Sequence, residues 1–301
     1  MALHVLCIGD VMLDVIARID VAPAKINFGS DTASRISTSS GGAAGNVAAW
    51  MTQTHARSTI VSHIGDDPAG AAIVAEFDLL GVNHSNLAIA GETSGVVVVL
   101  VDSSGERTMF PDKGANSRLT ISDLPDLKDF QAVYISGYAL LNLLARDGVL
   151  AMIEKITATG MPIYFDPASV GSMKDVTDGE LHTWFSLMDA IFLNEEESIY
   201  ITGSVDIEKA FNYLHDFAEL VVIKRGSAGA IAKVRGFDSI SVAAIADSIV
   251  DTTGAGDSFA AGFIASYTEN RDLTAALNAG SELAARCVAI LGARPRVGTA
   301  I

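Results

Sequence analysis

The sequence predicts an α/β protein: a three-layer α/β/α sandwich around a mainly parallel sheet, with a second, small β-sheet beside it. Three observations carry this. Short apolar runs alternate with helical patterns along most of the chain. These runs lack the apolar–polar alternation of a one-sided sheet, so both of their faces must be covered. Two stretches, 11–39 and 94–114, hold strand-like segments with no helical pattern between them.

Taken in order, His4–Ile8 is the first strand and ends at Gly9-Asp10. Ser58–His63 is the next of its kind, closed by Ile64-Gly65-Asp66-Asp67 and followed by a helical pattern over Pro68–Leu80. Ala132–Ile135, Pro162–Phe165, Ala190–Leu193 and Val221–Ile223 continue the series, with helices expected at Leu140–Thr159 and Ile207–Phe217. Right-handed crossovers between parallel strands put helices on both faces. In the two exceptional stretches, Val11–Arg18, Ala33–Thr38, Val96–Val101 and Arg107–Phe110 read as strands. Ser103-Ser104-Gly105-Glu106 turns the last two into a hairpin. The expected division is an α/β unit of residues 1–10, 40–93 and 115–301, and a β lid of residues 11–39 and 94–114. The lid would fold over the carboxyl edge of the main sheet.

Composition excludes several classes. Of 301 residues half are apolar and 19% are charged, which rules out wholesale disorder. Lys and Arg number 20 against 36 Asp and Glu, a net charge of −16. Such a surface suits neither nucleic acid nor anionic lipid, whose binding needs clustered cations. A small anionic ligand remains compatible, because backbone amides and helix ends supply positive potential. The two cysteines, Cys7 and Cys287, stand far apart in apolar stretches and read as buried thiols rather than a disulfide or zinc framework. The N-terminal apolar run has no basic start and is interrupted by Asp10 and Asp14, so no signal peptide is expected. Uncharged apolar runs such as Val96–Val101 fall short of the ~20 residues of a spanning helix. The expectation is a soluble, cytoplasmic protein. The histidines, at 4, 55, 63, 84, 182 and 215, show no paired zinc spacing, and there is neither a Gly-Lys phosphate loop nor a Gly-x-Ser-x-Gly elbow.

The strongest chemical signal is Asp251-Thr-Thr-Gly-Ala-Gly-Asp-Ser-Phe-Ala-Ala-Gly-Phe263, between the apolar Ile249-Val250 and a helical pattern. Gly254 and Gly256 allow a tight turn in which successive amides, including that of Ala255, point into one concavity. A helix N-terminus adds its partial positive charge there. Such a nest suits the charge that develops on a transferring phosphoryl group. Asp257 sits at its mouth, where a carboxylate can take a proton from an attacking hydroxyl. Alone, Gly-Ala-Gly-Asp reads rather as a loop with Asp257 capping a helix; the thirteen-residue context favours the nest.

With this segment and Gly41-Gly-Ala-Ala-Gly-Asn-Val-Ala48, the chain resembles the ribokinase-like PfkB carbohydrate kinase family. Ile8-Gly9-Asp10, Asp166-Pro167 and Asn194-Glu-Glu-Glu197 extend the resemblance over essentially the whole chain. It implies Asp257 as catalytic base and the amides of Gly254, Ala255 and Gly256 as anion hole. It implies Asp14, Gly41, Gly42 and Asn46 as substrate contacts; a carboxylate at 14 suits vicinal hydroxyls, and it is also a common turn residue. Asn194 and Glu197 match the family's Asn-x-x-Glu, whose Glu serves magnesium through water. Gly226 and Gly229 match the glycine loop beside the nucleotide, and Lys224 stands where some relatives carry Thr. Arg107, on the expected hairpin, can pair with a substrate carboxylate or phosphate or remain solvated. Asp251, Thr253 and Gly292 match a potassium site of relatives, but Arg296 stands where ribokinase has Ser, as a fixed cation that could replace the ion. Ala43 replaces the Lys of ribokinase, closer to fructokinase and 2-keto-3-deoxygluconate kinase.

The resulting expectation is transfer of phosphate from ATP, with magnesium, to a hydroxymethyl group of a sugar or sugar acid. A nucleoside kinase, for adenosine or pseudouridine, is the alternative; it would use aromatic stacking, with Phe28 and Phe110 as candidates. A non-catalytic ligand sensor on the same fold comes third. The exposed edges of a lid sheet also fit a homodimer paired lid to lid.

Overall fold

The structure, a computed structural model, describes residues 2–104 and 106–296. Its main sheet has nine strands in the order β13-β12-β11-β10-β9-β8-β1-β4-β5. These are β1 (His4–Ile8), β4 (Arg57–Gly65), β5 (Asn83–Ala90), β8 (Ala132–Ser136), β9 (Ile163–Asp166), β10 (Ala190–Asn194), β11 (Leu220–Lys224), β12 (Ala230–Val234) and β13 (Ile240–Val242). β5 through β11 run parallel, while β12 and β13 add an antiparallel edge. A separate sheet has the order β3-β2-β6-β7, from β2 (Met12–Ile19), β3 (Ser34–Gly41), β6 (Gly95–Val101) and β7 (Arg107–Asp112). Its strands come from the two stretches that the sequence sets apart. Gly105, in the turn expected between β6 and β7, lies outside the described residues.

The apolar strands are buried on both faces because helices flank them. On one side pack α1 (Ala43–Met51), α2 (Pro68–Leu80), α9 (Ala255–Asn270) and α10 (Leu273–Val288), with Trp50, Phe77, Phe263 and Leu277 in the same core as Val5 and Cys7. The other core joins Leu6 and Ile8 to side chains such as Met152, Trp184 and Phe211. It is covered by α3 (Gly137–Leu141), α4 (Arg146–Thr157), α5 (Val170–Met173), α6 (Asp178–Phe185), α7 (Glu195–Thr202) and α8 (Ile207–Leu214). Alternate residues of β1 thus feed opposite cores, as the period of two requires. Truncating a fully buried side chain such as Phe263 or Trp50 to Ala should cost about 3–5 kcal/mol.

The structure corrects two readings. The helix expected over Leu140–Thr159 is split into α3 and α4. Asn142 takes an extended conformation, and its side chain accepts the Leu144 amide at 3.2 Å, offering the backbone an alternative to the helix. Leu143 and Leu144 are exposed in that break. The second helix also ends at Leu214 rather than Phe217.

Chain direction places the site. From β1 the sheet grows outward to β4 and β5 on one side and, after the small sheet, to β8 and beyond on the other. Such a reversal opens a crevice at the carboxyl ends of the strands. Polar residues cluster there: Asp10 after β1, Ser136, Asp166, Asn194 and Lys224 at the ends of β8 to β11. Ser136 Oγ donates to Asp10 Oδ1 at 2.7 Å across the switch point. Among the described residues no helix is long and apolar enough to cross a membrane.

Candidate active site

The N-terminus of α9 faces this crevice. Gly254 caps the helix in the left-handed conformation (φ +79°), and a Cβ there would lie 2.5 Å from the Ala293 carbonyl oxygen, so only glycine fits. Ala255 N–H turns back to the Thr252 carbonyl at 3.3 Å, and the first helical bond runs from Ser258 N–H to Gly254 O at 2.9 Å. The first-turn amides of Gly256 and Asp257 are left without helical partners, as in any helix start.

Asp257 lies in the first turn. Asn46 Nδ2, from α1, donates to its Oδ2 at 2.8 Å. Burial pushes this carboxyl up to about 7; the Asn46 bond and Lys224 oppose the rise, and Asp166 and Asp10 add to it. A carboxyl titrating near neutrality in a crevice is what a proton acceptor at physiological pH requires.

Asp14 is the third residue of β2, and its carboxylate lies against Gly41, where a Cβ would meet Oδ1 at 2.5 Å. Burial lifts it to about 6, opposed by Arg294 and helped by Asp10. Gly42 starts α1 at φ +86° and lies over the Asp10 backbone. The Ala43 amide reaches Asp10 Oδ2 at 3.1 Å, which fastens the first signature to the end of β1.

Asn194 and Glu197 form a capping box at the start of α7. The Glu197 amide donates to Asn194 Oδ1 at 2.8 Å, while the Asn194 amide and Nδ2 each donate to Glu197 at 2.7 Å. Glu197 is buried, and burial with the nearby Asp166 raises its pKa. Each oxygen thus accepts one hydrogen bond from Asn194. Among the described residues no cluster of three or more His, Cys, Asp or Glu forms a ready metal nest. Glu195 reaches outward to Arg225.

Lys224 is not a solvated lysine. Its Nζ lies 2.5 Å from Asp166 Oδ2, and a Cβ on Gly256 would stand 3.0 Å from it. Burial pulls the ammonium down, but Asp166 and Glu197 outweigh this and raise its pKa. Asp166 also accepts the Ala168 amide at 3.1 Å, which holds Ala168 at φ +86°. From Lys224, Gly226 and Gly229 a cleft of about 370 Å³ runs along Ile245, Ile249 and Phe259. Ala255 and Gly256, at the start of α9, are among the residues that line it.

Arg107 crosses from β7 to the loop before α9. Its Nη2 lies 2.7 Å from Asp251 Oδ1, and Nη1 bonds Thr253 Oγ1. Burial raises Asp251, yet hydrogen bonds from Arg107, Thr253 and the Gly292 amide hold it at about 2. The fixed cation beside these three residues is therefore Arg107 rather than Arg296, which lines a separate cleft with Trp50 and Arg286. Phe110, one strand position beyond Met109, lies on the sheet face opposite to Arg107 and Met109, and Phe28 is 86% exposed.

The motif reading does not single out Arg294. It is buried beside the crevice and bonded to Asn46, Glu76 and Gly41. The signal available in sequence was a charged residue two positions after Gly292, in Gly292-Ala-Arg-Pro.

The model of the pfkB family carbohydrate kinases matches residues 2–298, and the chain belongs to that family. It is 33% identical to a fructokinase of Klebsiella pneumoniae over 89% of this chain and 90% of that protein. It is 28% identical to an ATP-dependent ribose-1-phosphate kinase of Halopiger xanaduensis, covering 97% and 92%. The crystal structure of adenosine kinase from Sinorhizobium meliloti superposes with a TM-score of 0.87 at 25% identity, covering 99% and 97%. The fold is ribokinase-like, and the protein is a carbohydrate kinase.

Proposed function

We propose that this kinase transfers the terminal phosphoryl group of ATP to a hydroxymethyl group of a sugar or sugar acid, with Asp257 as base. The observation that carries this is the half-buried Asp257 carboxylate, held by Asn46 beside the open first-turn amides of α9. Acceptor hydroxyls bind between Asp14, Gly41, Gly42 and Asn46. Asp257 takes the proton as the acceptor oxygen forms its bond to phosphorus, and the bond from phosphorus to the bridging oxygen of ADP breaks. The amides of residues 254–257 and Lys224 stabilise the negative charge on the transferring group. Magnesium, when bound with the nucleotide, neutralises phosphate charge, and Glu197 is the residue that would hold it through water. The apolar cleft beyond Gly226 and Gly229 receives the nucleoside.

Residues 11–39 and 94–114 act as the lid that excludes water from transfer. Its strands carry Asp14 and Arg107 to the crevice. The opposite face exposes Ile36, Val98 and Phe110, apolar surface that supports a homodimer paired lid to lid. A nucleoside acceptor is favoured less than a sugar because Phe110 lies on the lid face opposite to Arg107 and Asp14, and Phe28 is exposed to solvent rather than packed in a stacking wall. A coupled ADP-release assay with Mg-ATP tests the reading across ribose, fructose, 2-keto-3-deoxygluconate, fructose phosphates, adenosine and pseudouridine. Turnover on one sugar or sugar acid, lost in Asp257→Asn, is expected. Turnover confined to nucleosides would overturn the acceptor class, and full activity in the variant would overturn the base.

A further inference from the structure

Arg294 is a buried cation to which the transfer scheme gives no part. Nε donates to Asn46 Oδ1 at 3.1 Å, Nη1 to Glu76 Oε2 at 2.5 Å and Nη2 to the Gly41 carbonyl at 2.7 Å. Its guanidinium also lies 4.7 Å from the centre of the Phe77 ring. The side chain is thus fixed on every edge, by groups from β3, α1 and α2.

A guanidinium carries only donors, so the Asn46 atom that faces it must be the amide oxygen. The amide nitrogen is then turned to Asp257, where it donates to Oδ2 at 2.8 Å. We propose that Arg294 is a positioning residue that fixes the Asn46 amide in the one orientation able to donate to Asp257. Reversed, the amide would set its oxygen against the carboxylate and replace a bond to the charged form with repulsion. The third arm of the fork acts in parallel, because the Gly41 backbone it holds is the surface on which Asp14 rests. One side chain thereby sets the geometry of both the base and the carboxylate expected to receive acceptor hydroxyls.

The charged groups that act on Asp257 come from several elements. Asp10 and Asp166 raise its pKa, Lys224 lowers it, and Arg294 itself is electrostatically coupled to it. Tyr134, Tyr138 and Cys287 also feel its charge, and burial keeps all three neutral around pH 7. A loss of Arg294 could therefore act on Asp257 as a lost charge, without Asn46. A double-mutant cycle separates the two routes.

The inference rests on Asp257 as base, so the primary readout is chosen to need no turnover. The difference in thermal stability between each protein and its Asp257→Asn counterpart, followed from pH 5 to 9, reports the pKa of Asp257. It is measured on the full chain for wild type, Arg294→Gln, Asn46→Ala and the double variant. We expect Arg294→Gln to move the midpoint upward by about one unit, and to move it little further once Asn46 is Ala. An equal shift in both backgrounds, or none in either, would overturn the relay. If Arg294→Gln does not fold, Arg294→Lys keeps the charge and loses the fork; a smaller upward shift is expected, again absent with Asn46→Ala. Turnover of Mg-ATP with fructose is read separately. A fully active Asp257→Asn would remove the base and leave the stability cycle to decide on Arg294.

Discussion

Arg107 Nη2 lies 2.7 Å from Asp251 Oδ1, joining the outer strand of the small sheet to the loop that leads into the start of α9. The two residues are 144 positions apart in sequence. Asp251 is buried and ionised, and an uncompensated anion next to a phosphoryl site would oppose transfer. Arg107 supplies the compensating charge from an element that otherwise lies open to solvent. The electrostatics of the loop are therefore tied to the position of the small sheet.

Replacing Arg107 with Met should accordingly lower kcat/KM about tenfold or more, a loss smaller than for a fully buried pair because the guanidinium is 33% exposed. Wild-type rates should be the same in sodium and potassium, since the cation at Asp251 and Thr253 is built in. The variant should recover in part with added guanidinium or potassium. Initial rates in matched chloride salts decide it. A wild-type enzyme that requires potassium would sink the argument, as would a variant whose rate no cation improves.

Asp257→Asn should cut kcat by something like 10²–10⁴ while leaving ATP binding intact. The same change should stabilise the fold. The folded carboxyl titrates at about 7, above its unfolded value, so the folded state holds a proton that the unfolded chain releases from about pH 4 upward. Stability is lost as pH rises through that window, and Asn removes the loss. The melting temperature of the variant should exceed that of wild type by a margin that grows from pH 5 to pH 8, at roughly 2–4 °C per kcal/mol. A margin that is flat or shrinks with pH would contradict the raised, neutral-range carboxyl.

The same pKa shapes the rate. Proton acceptance needs the ionised form, so kcat/KM should fall on the acid side with a midpoint near 7. Asp14, at about 6, adds a second acid step when it binds hydroxyls as a carboxylate. A profile from pH 5 to 9 of kcat/KM for the acceptor, from rates at subsaturating acceptor and saturating Mg-ATP, would show both. A flat acid limb down to pH 5 would argue against both carboxylates acting as anions.

Most of the frame was legible because fully buried parallel strands leave uninterrupted apolar runs, as in Val221–Ile223 and Ala190–Leu193. β5 was not, because Asn83-His-Ser-Asn-Leu carries few strand-forming residues and takes its structure from pairing with β4. The break at Asn142 depended on a side-chain bond that no periodicity encodes. In the site, contiguous motifs marked Asp257, Asn46 and Glu197. Arg294 and the pairing of Arg107 with Asp251 escaped because their partners lie far off in sequence, and only the closed topology brings them together.

Lys224→Met tests the cation beneath the anion loop. Its ammonium is the near neighbour of two buried carboxylates, Asp166 and Glu197, with side-chain exposures of 15% for Lys224 and 10% for Asp166. Removing it takes away the cation that opposes the rise of the Glu197 pKa, so the folded state becomes costly as pH increases. Stability should drop by about 3 kcal/mol at pH 8 and by less at pH 5.5, where Glu197 takes up a proton. Denaturant melts at the two pH values measure it. An equal loss at both would mean that packing, not charge, is what Lys224 supplies.

Gly229→Ala and Gly226→Ala form a paired test of the nucleotide cleft. Both glycines have positive φ, +85° and +54°, so each alanine carries a backbone penalty, about 1 kcal/mol in the left-handed region and more at Gly229, whose ψ of −137° lies outside it. They differ in what a Cβ would meet. At Gly226 nothing lies within 4 Å, whereas at Gly229 the Val242 carbonyl oxygen would be 1.9 Å away. Alanine at 229 must therefore push β13 from β12, since Gly229 leads directly into β12 at the edge of the sheet. The neighbouring Ala244 and Ile245 wall the cleft, and the displacement should reach them. Gly229→Ala should lose about 3 kcal/mol of stability and at least about tenfold in ATP affinity, and Gly226→Ala about 1 kcal/mol with affinity nearly unchanged. Thermal melts and calorimetric titration with ATP separate them. Equal effects at the two positions would show that backbone conformation alone, and not the approach of β13, makes glycine necessary there.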